Sequence, residues 1–361
     1  MRVLLSGYYG FGNLGDEALL EVIVERARRR YASLELDVLS ATPDATAAKH
    51  GIEATPRWQM RAVRRAIARA DVVVSGGGGL LQSATSLRSL TYYAGILRAA
   101  IRAGRKTMIF AQSVGPLDAF GAMIVRRFCR GVDRATVRDE RSRALLAALL
   151  PRTPVERTAD PVFLYDLHES VDLASEGFSA HSGAYAVVCL RTCAGVARGV
   201  ATLVRAVDRL AERHGMPVAF LPLAGKSDAE VSTTVIRACR TAPVLLPELP
   251  LEKAAAIVAG ARIVIGMRLH ALILAANRAV PFLAVPYDPK VSALAEDLAY
   301  PLPPLWEPGM AAPAPEATEA LVDDAIARHA ELRAHLAARL ESVRALAERN
   351  FDVLGELLQH P

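Results

Sequence analysis

Short apolar runs of three to six residues recur along the whole chain, and nearly every one is followed by a loop and a segment of helical period. No other feature constrains the fold as strongly, because this alternation is the pattern of parallel sheets crossed over by helices. In the first half the runs fall at residues 3–6, 36–39, 72–75, 107–111 and 135–138, with helical segments such as 88–102 and 119–130. A second series occupies 185–190, 218–223, 244–246, 262–265 and 282–285, with helical segments around 200–214, 229–240, 251–259 and 269–277. Residues 171–183, rich in Ser, Gly, Glu and His, read as the linker between the two series.

A length of 361 residues accommodates two such cores. Beyond a proline-rich stretch over 301–315, apolar residues at three- and four-residue spacing (Val322, Ile326, Leu332, Leu336, Leu340, Val343) predict one long helix over about 316–358. The expected architecture is α/β, with two Rossmann-like domains at 1–170 and 184–300 facing a central cleft. A C-terminal helix within 313–361 packs back. Ligands of such sheets bind beyond the carboxyl ends of the strands, so the loops there are the places to read for chemistry.

Composition narrows the classes. The net charge is +5, from 43 basic and 38 acidic residues, and the arginines mostly alternate with Ala and Leu as on solvated helix faces. No basic patch is interleaved with aromatics, which argues against nucleic acid. The four cysteines lack zinc spacing, so no metal is expected and free thiols are the default. No secretory leader pattern opens the chain and no run of about 18 apolar residues occurs, so a cytoplasmic location is expected. A peripheral contact with the inner face of the membrane is compatible with the surplus of arginine.

The first carboxyl-end loop runs through Gly12-Asn13-Leu14-Gly15-Asp16-Glu17. Two carboxylates at a helix start disfavour a dinucleotide phosphate but suit sugar hydroxyls, so Asn13, Gly15 and Asp16 are candidate acceptor contacts. The alternative is that Asp16 merely caps the helix. The second loop, Ser75-Gly76-Gly77-Gly78-Gly79, holds four consecutive glycines, whose entropy cost points to close passage of a ligand or another loop at Gly77 and Gly78. The third carries Gln112. A fourth, Arg138-Asp139-Glu140, is explained equally by substrate contact or a local ion-pair network. In the second half, Arg191 ends a strand, and Gly266-Met267-Arg268-Leu269-His270 joins a strand to a helix start. Free backbone N–H groups, a bidentate cation and an imidazole suit a small molecule with a carboxylate and a phosphate. The alternatives are a salt bridge between domains for Arg268 and a satisfied core position for His270. Lys290, in Tyr287-Asp288-Pro289-Lys290, extends the same wall.

These motifs in this order (G-N-L-G-D-E at 12–17, S-G-G-G-G at 75–79, Q-S-V-G-P at 112–116, V-R-D-E at 137–140, A-D-P at 159–161, G-M-R-L-H at 266–270 and Y-D-P-K at 287–290) resemble the polysaccharide pyruvyl transferase family. Within it the chain is most similar to bacterial enzymes that pyruvylate a secondary cell-wall polymer on which surface-layer proteins anchor. At the third loop the chain departs from the family's glycines with Ala111 and Ser113.

The resemblance implies a fold similar to B-type glycosyltransferases, with neither metal nor cofactor. It implies phosphoenolpyruvate as co-substrate, held by Arg191, Arg268 and His270, and a lipid-linked oligosaccharide as acceptor. His270 is then the expected general acid and Asp16 the expected base. A nucleotide-sugar glycosyltransferase is the competing enzyme class, and a non-catalytic sugar-binding protein or regulator the competing class without chemistry.

Overall fold

The alternation predicted from the apolar runs is realised as two sheets, each entirely parallel. The computed structural model describes residues 1–84, 86–167, 172–193, 196–307 and 310–359. Val171, where the linker was expected to begin, and Pro308 of the proline-rich stretch lie outside them. The chain divides into two compact units, Met1–Leu164 with Ser342–Pro361, and Tyr165–Glu341.

In the first unit the elements are β1 (Arg2–Tyr9), α1 (Leu14–Arg30), β2 (Glu35–Ser40), α2 (Pro43–His50), β3 (Glu53–Pro56), α3 (Met60–Arg69) and β4 (Val72–Leu81). They continue as α4 (Leu87–Arg102), β5 (Lys106–Val114), α5 (Ala119–Phe128), β6 (Arg134–Val137), α6 (Glu140–Leu149) and β7 (Val155–Arg157). The strand order is β3-β2-β1-β4-β5-β6-β7. Strands β3 and β7 escape the sequence reading because their burial is only partial, which leaves no continuous apolar run.

The second and third loops are not loops. The four glycines lie inside β4 and Gln112-Ser113 inside β5, both of which run further than their apolar cores. Ala111 sits where the register between β5 and β6 shifts, at φ 48°. That left-handed backbone is one glycine adopts at no steric cost and alanine does not. Replacing Ala111 by glycine is expected to raise the stability of this unit by about 1 kcal/mol. A urea midpoint equal to or below wild type would count against that strain.

In the second unit the elements are β8 (Ala186–Cys189), α7 (Val200–His214), β9 (Val218–Phe220), α8 (Lys226–Ala238), β10 (Val244–Leu245) and α9 (Leu251–Ala259). Then come β11 (Ile263–Gly266), α10 (Leu269–Asn277), β12 (Phe282–Ala284), α11 (Pro289–Asp297) and α12 (Pro315–Ala327), with α13 (His329–Gln359) last. The strand order is β10-β9-β8-β11-β12, which puts β8, β11 and β12 side by side.

The single C-terminal helix expected over 316–358 is two. Arg328 leaves helical geometry at φ −88°, ψ 13°. The break is held by Arg328, which binds both Asp324 and Glu331, and by the His329 ring, 3.0 Å from the Arg262 carbonyl. Helix α12 lies along α7, where the Arg209 guanidinium holds the Asp323 carboxyl down to about 2. The last turns of α13 belong to the first unit, where Asn350 accepts from the Thr158 hydroxyl at 2.7 Å and donates to the Ala159 carbonyl.

Candidate functional site

In the second unit three adjacent strands deliver the candidate side chains. Strand β8 ends just before Arg191, β11 just before Arg268 and His270, and β12 before Tyr287 and Lys290. The strands are in parallel register, with Gly266 opposite Cys189 and Ala284, so these loops leave one edge of one sheet.

Arg191 donates from Nη1 to the Tyr287 hydroxyl at 2.7 Å, with its guanidinium carbon 5.0 Å from that ring's centroid. Lys290 Nζ lies 5.7 Å from the same centroid and 3.3 Å from Asp288 Oδ2. One phenol thus organises two cations. Sequence reasoning passed over Tyr287 although it begins the Y-D-P-K motif.

Arg268 is held differently. Its Nε donates to Asp228 Oδ2 at 2.9 Å, and its Nη2 binds the other oxygen of the same carboxylate. Asp228 is fully buried at the start of α8 and also accepts from the backbone N–H groups of Leu223 and Ala224. The salt bridge weighed for Arg268 therefore exists, but it lies within the second unit. Asp228 had no signal in the sequence, because a single Asp in Lys226-Ser227-Asp228-Ala229 looks like an ordinary first-turn residue. Leu269 begins α10 with its side chain in the core. Of the nine residues of α10, His270 is the one that is not buried.

In the first unit Asn13 caps α1, accepting from the Gly15 N–H at 3.1 Å, so Asp16 is not the cap. Glu17 accepts from the Gly10 N–H at 2.9 Å, and burial pushes its carboxyl up while the Gly10 and Gly12 amides pull it back. Asp16 is partly exposed beside the glycine run. A Cβ on Gly78 would come within 3.0 Å of Asp16 Oδ1, and one on Gly77 within 2.8 Å of Leu19. Gly77 and Gly78 also sit at φ 62° and 77°, so a left-handed backbone and the close approach of α1 both favour glycine at these two positions.

Gln112 does not reach the strand edge. It is fully buried, and its amide donates to the carbonyl and hydroxyl oxygens of Ser75 at 2.8 Å each. The V-R-D-E and A-D-P motifs form a buried network. Arg138 pairs with Asp160 and donates to Ser113 Oγ at 2.6 Å, and Asp139 caps α6 through the Ser142 N–H. Of the two readings of that loop, the ion pair is the one built. Cys129, Cys189, Cys193 and Cys239 are all free, and burial pushes the Cys129 thiol up to about 12. No three His, Cys, Asp or Glu side chains converge as a metal-binding group among the described residues.

A family model for polysaccharide pyruvyl transferases matches residues 13–289, from the Asn13 cap through the Tyr287 loop. The chain belongs to the polysaccharide pyruvyl transferase family. It is therefore a transferase, and polysaccharide pyruvylation is its general activity. Among curated proteins no sequence matches.

Solved structures share the fold at low identity. S. aureus MnaA in complex with UDP aligns at TM-score 0.68 and 11% identity, over 99% of this chain and 97% of that one. A Rickettsia africae glycosyltransferase aligns at TM-score 0.65 and 11% identity, over 100% and 99%. The Neisseria meningitidis UDP-GlcNAc 2-epimerase bound to UDP-GlcNAc aligns at 0.62 and 10%, over 99% and 100%. These likenesses give this pyruvyl transferase a B-type glycosyltransferase fold of two Rossmann-like units with the C-terminal helix α13.

Proposed function

We propose that the enzyme transfers the pyruvyl group of phosphoenolpyruvate as a cyclic ketal to a sugar of a lipid-linked cell-wall polysaccharide precursor, releasing phosphate and using no cofactor. The acceptor we favour is a secondary cell-wall polymer of the kind that anchors surface-layer proteins, and the reaction is placed in the cytoplasm. The observation that carries the donor assignment is the edge of β8, β11 and β12. Two arginines, a lysine and an imidazole sit on three neighbouring loops there, and Arg191 is bonded to the Tyr287 hydroxyl rather than to a carboxylate. That cation keeps its charge for a trianionic donor.

In this reading the His270 ring gives its proton to the methylene carbon of phosphoenolpyruvate, which becomes the methyl group. Cationic character develops at the central carbon, one sugar hydroxyl adds there, phosphate leaves, and a second hydroxyl closes the ring. The two hydroxyl protons go to phosphate and back to the imidazole. Arg191, Arg268 and Lys290 hold the carboxylate and phosphate and offset the charge on the leaving group. Asp16, with Asn13 beside it, takes the sugar hydroxyls in the first unit.

A nucleotide-sugar donor is the second reading, favoured by the UDP bound in S. aureus MnaA. Phosphate release from phosphoenolpyruvate in the presence of a crude lipid-linked oligosaccharide, paired with thermal shifts by each candidate donor, separates the two. Acceptor-dependent release and stabilisation by phosphoenolpyruvate are expected. Stabilisation by UDP with no release would replace our reading with the second.

A further inference from the structure

Charge is unevenly distributed along the chain. Residues 54–132 hold 13 of the 43 basic residues and 2 of the 38 acidic ones, so this stretch carries +11 and the remainder −6. Both acids are engaged: Asp71 accepts from the Arg2 N–H and Asp118 caps α5. The stretch contains α3, α4 and α5, of which α3 packs on α4 and α4 on α5. Arg61, Arg64, Arg65, Arg88 and Arg127 on these helices are exposed and form no ion pair among the described residues. Like charges crowd there: Arg98 has a lowered pKa through its partial desolvation and then through Arg102 and Arg127.

The same helices begin with apolar side chains in solvent. Trp58 is 63% exposed just before α3, Met60 49%, Leu87 37%, Phe120 55% and Met123 51%. Contacts tie the three helices together in pairs. Phe11, itself exposed, lies 6.3 Å from Trp58 between ring centroids, and Trp58 lies 5.7 Å from Tyr92 of α4. The Asp118 N–H at the start of α5 donates to Ser83 Oγ in the loop before α4. In each helix the apolar residue comes first and arginine follows at the next position or within two turns. A bilayer surface has the same order in depth, apolar chains beneath and anionic headgroups above. A water-exposed protein face gains nothing from it.

We infer that the amino ends of α3, α4 and α5 form a docking surface for an anionic phospholipid bilayer. Trp58, Met60, Leu87, Phe120 and Met123 enter the interface, and Arg61, Arg64, Arg65, Arg88 and Arg127 lie on the headgroups. No helix among the described residues is long and apolar enough to cross a membrane, so contact is made by this rim and is reversible. This deepens the reading of a lipid-linked acceptor by naming the surface that brings the enzyme to the acceptor's membrane.

The chain supplies its own reporter. It has two tryptophans, of which Trp306 is buried and Trp58 is on the rim. The test adds vesicles of phosphatidylglycerol in phosphatidylcholine to the full chain, following co-sedimentation and the Trp emission maximum. Wild type is expected to bind with a blue shift, and to be released by about 0.5 M salt, where the Debye length falls to roughly 4 Å. The triple variant Arg61→Gln/Arg64→Gln/Arg65→Gln is expected to partition about 100-fold more weakly, at about five-fold per arginine. Met60→Ser/Phe120→Ser should lose at least about 10-fold.

Absence of binding to anionic vesicles by wild type overturns the inference, as does equal binding by the triple variant. A blue shift produced by lipid-free oligosaccharide and not by vesicles also overturns it, and makes the rim a glycan platform. The triple variant should release phosphate with a lipid-free acceptor at the wild-type rate. Failure of wild type in that assay would count against the pyruvyl donor and leave the vesicle result standing.

Discussion

Arg268→Ala is expected to lower the melting temperature by roughly 10 °C and to abolish phosphate release. The stability part follows from the partner left behind. Asp228 is fully buried, and without Arg268 its remaining bonds are two backbone N–H groups, from Leu223 and Ala224. Removing one member of a buried ion pair costs about 3–5 kcal/mol, because the other is stranded in low dielectric. For a unit of this size each kcal/mol moves the melting point by about 2–4 °C.

The functional part follows from how the pair is built. Asp228 engages Nε and Nη2, so the guanidinium is fixed in plane with Nη1 still able to reach a ligand oxygen. Arg268→Lys separates the two roles, since an ammonium keeps the charge but cannot match a carboxylate with two parallel bonds. It should recover part of the melting temperature and little of the activity. A calorimetric scan showing Arg268→Ala as stable as wild type would mean that Asp228 is not stranded, and the account of this pair would be wrong.

The architecture was legible because burial on both sheet faces forces continuous apolar runs, as in Val72-Val73-Val74 and Ile263-Val264-Ile265. What the runs could not give was their ends. Gly76–Gly79 and Gln112 read as loop because their side chains are absent or polar, yet β4 and β5 continue through them as backbone. Glycine at 77 and 78 answers a left-handed backbone and the close approach of Leu19 and Asp16, which lie on a helix some sixty residues earlier in the chain. The same limit hid Asp228. Its importance comes from being the carboxylate within reach of Arg268, forty positions away, and no local pattern encodes that separation. Arg191, Arg268, His270 and Lys290 were legible for the opposite reason. Each follows the end of an apolar run by a few residues, so strand order alone brings them to one edge.

His270→Asn is expected to reduce kcat by about 10²–10⁴-fold while leaving the melting temperature within about 1 °C of wild type. Helix α10 explains why the two effects should part. Eight of its nine residues are buried, so the helix is anchored without His270, its one half-buried residue. Asparagine keeps a polar group at that point but cannot deliver a proton to carbon. Stabilisation by phosphoenolpyruvate should therefore persist in the variant, because the carboxylate and phosphate are assigned to Arg191, Arg268 and Lys290. Loss of that stabilisation together with activity would make His270 a binding group and leave the proton without a donor. Retention of more than about a tenth of the wild-type rate would exclude it as the general acid, since that step is expected to contribute at least about 100-fold.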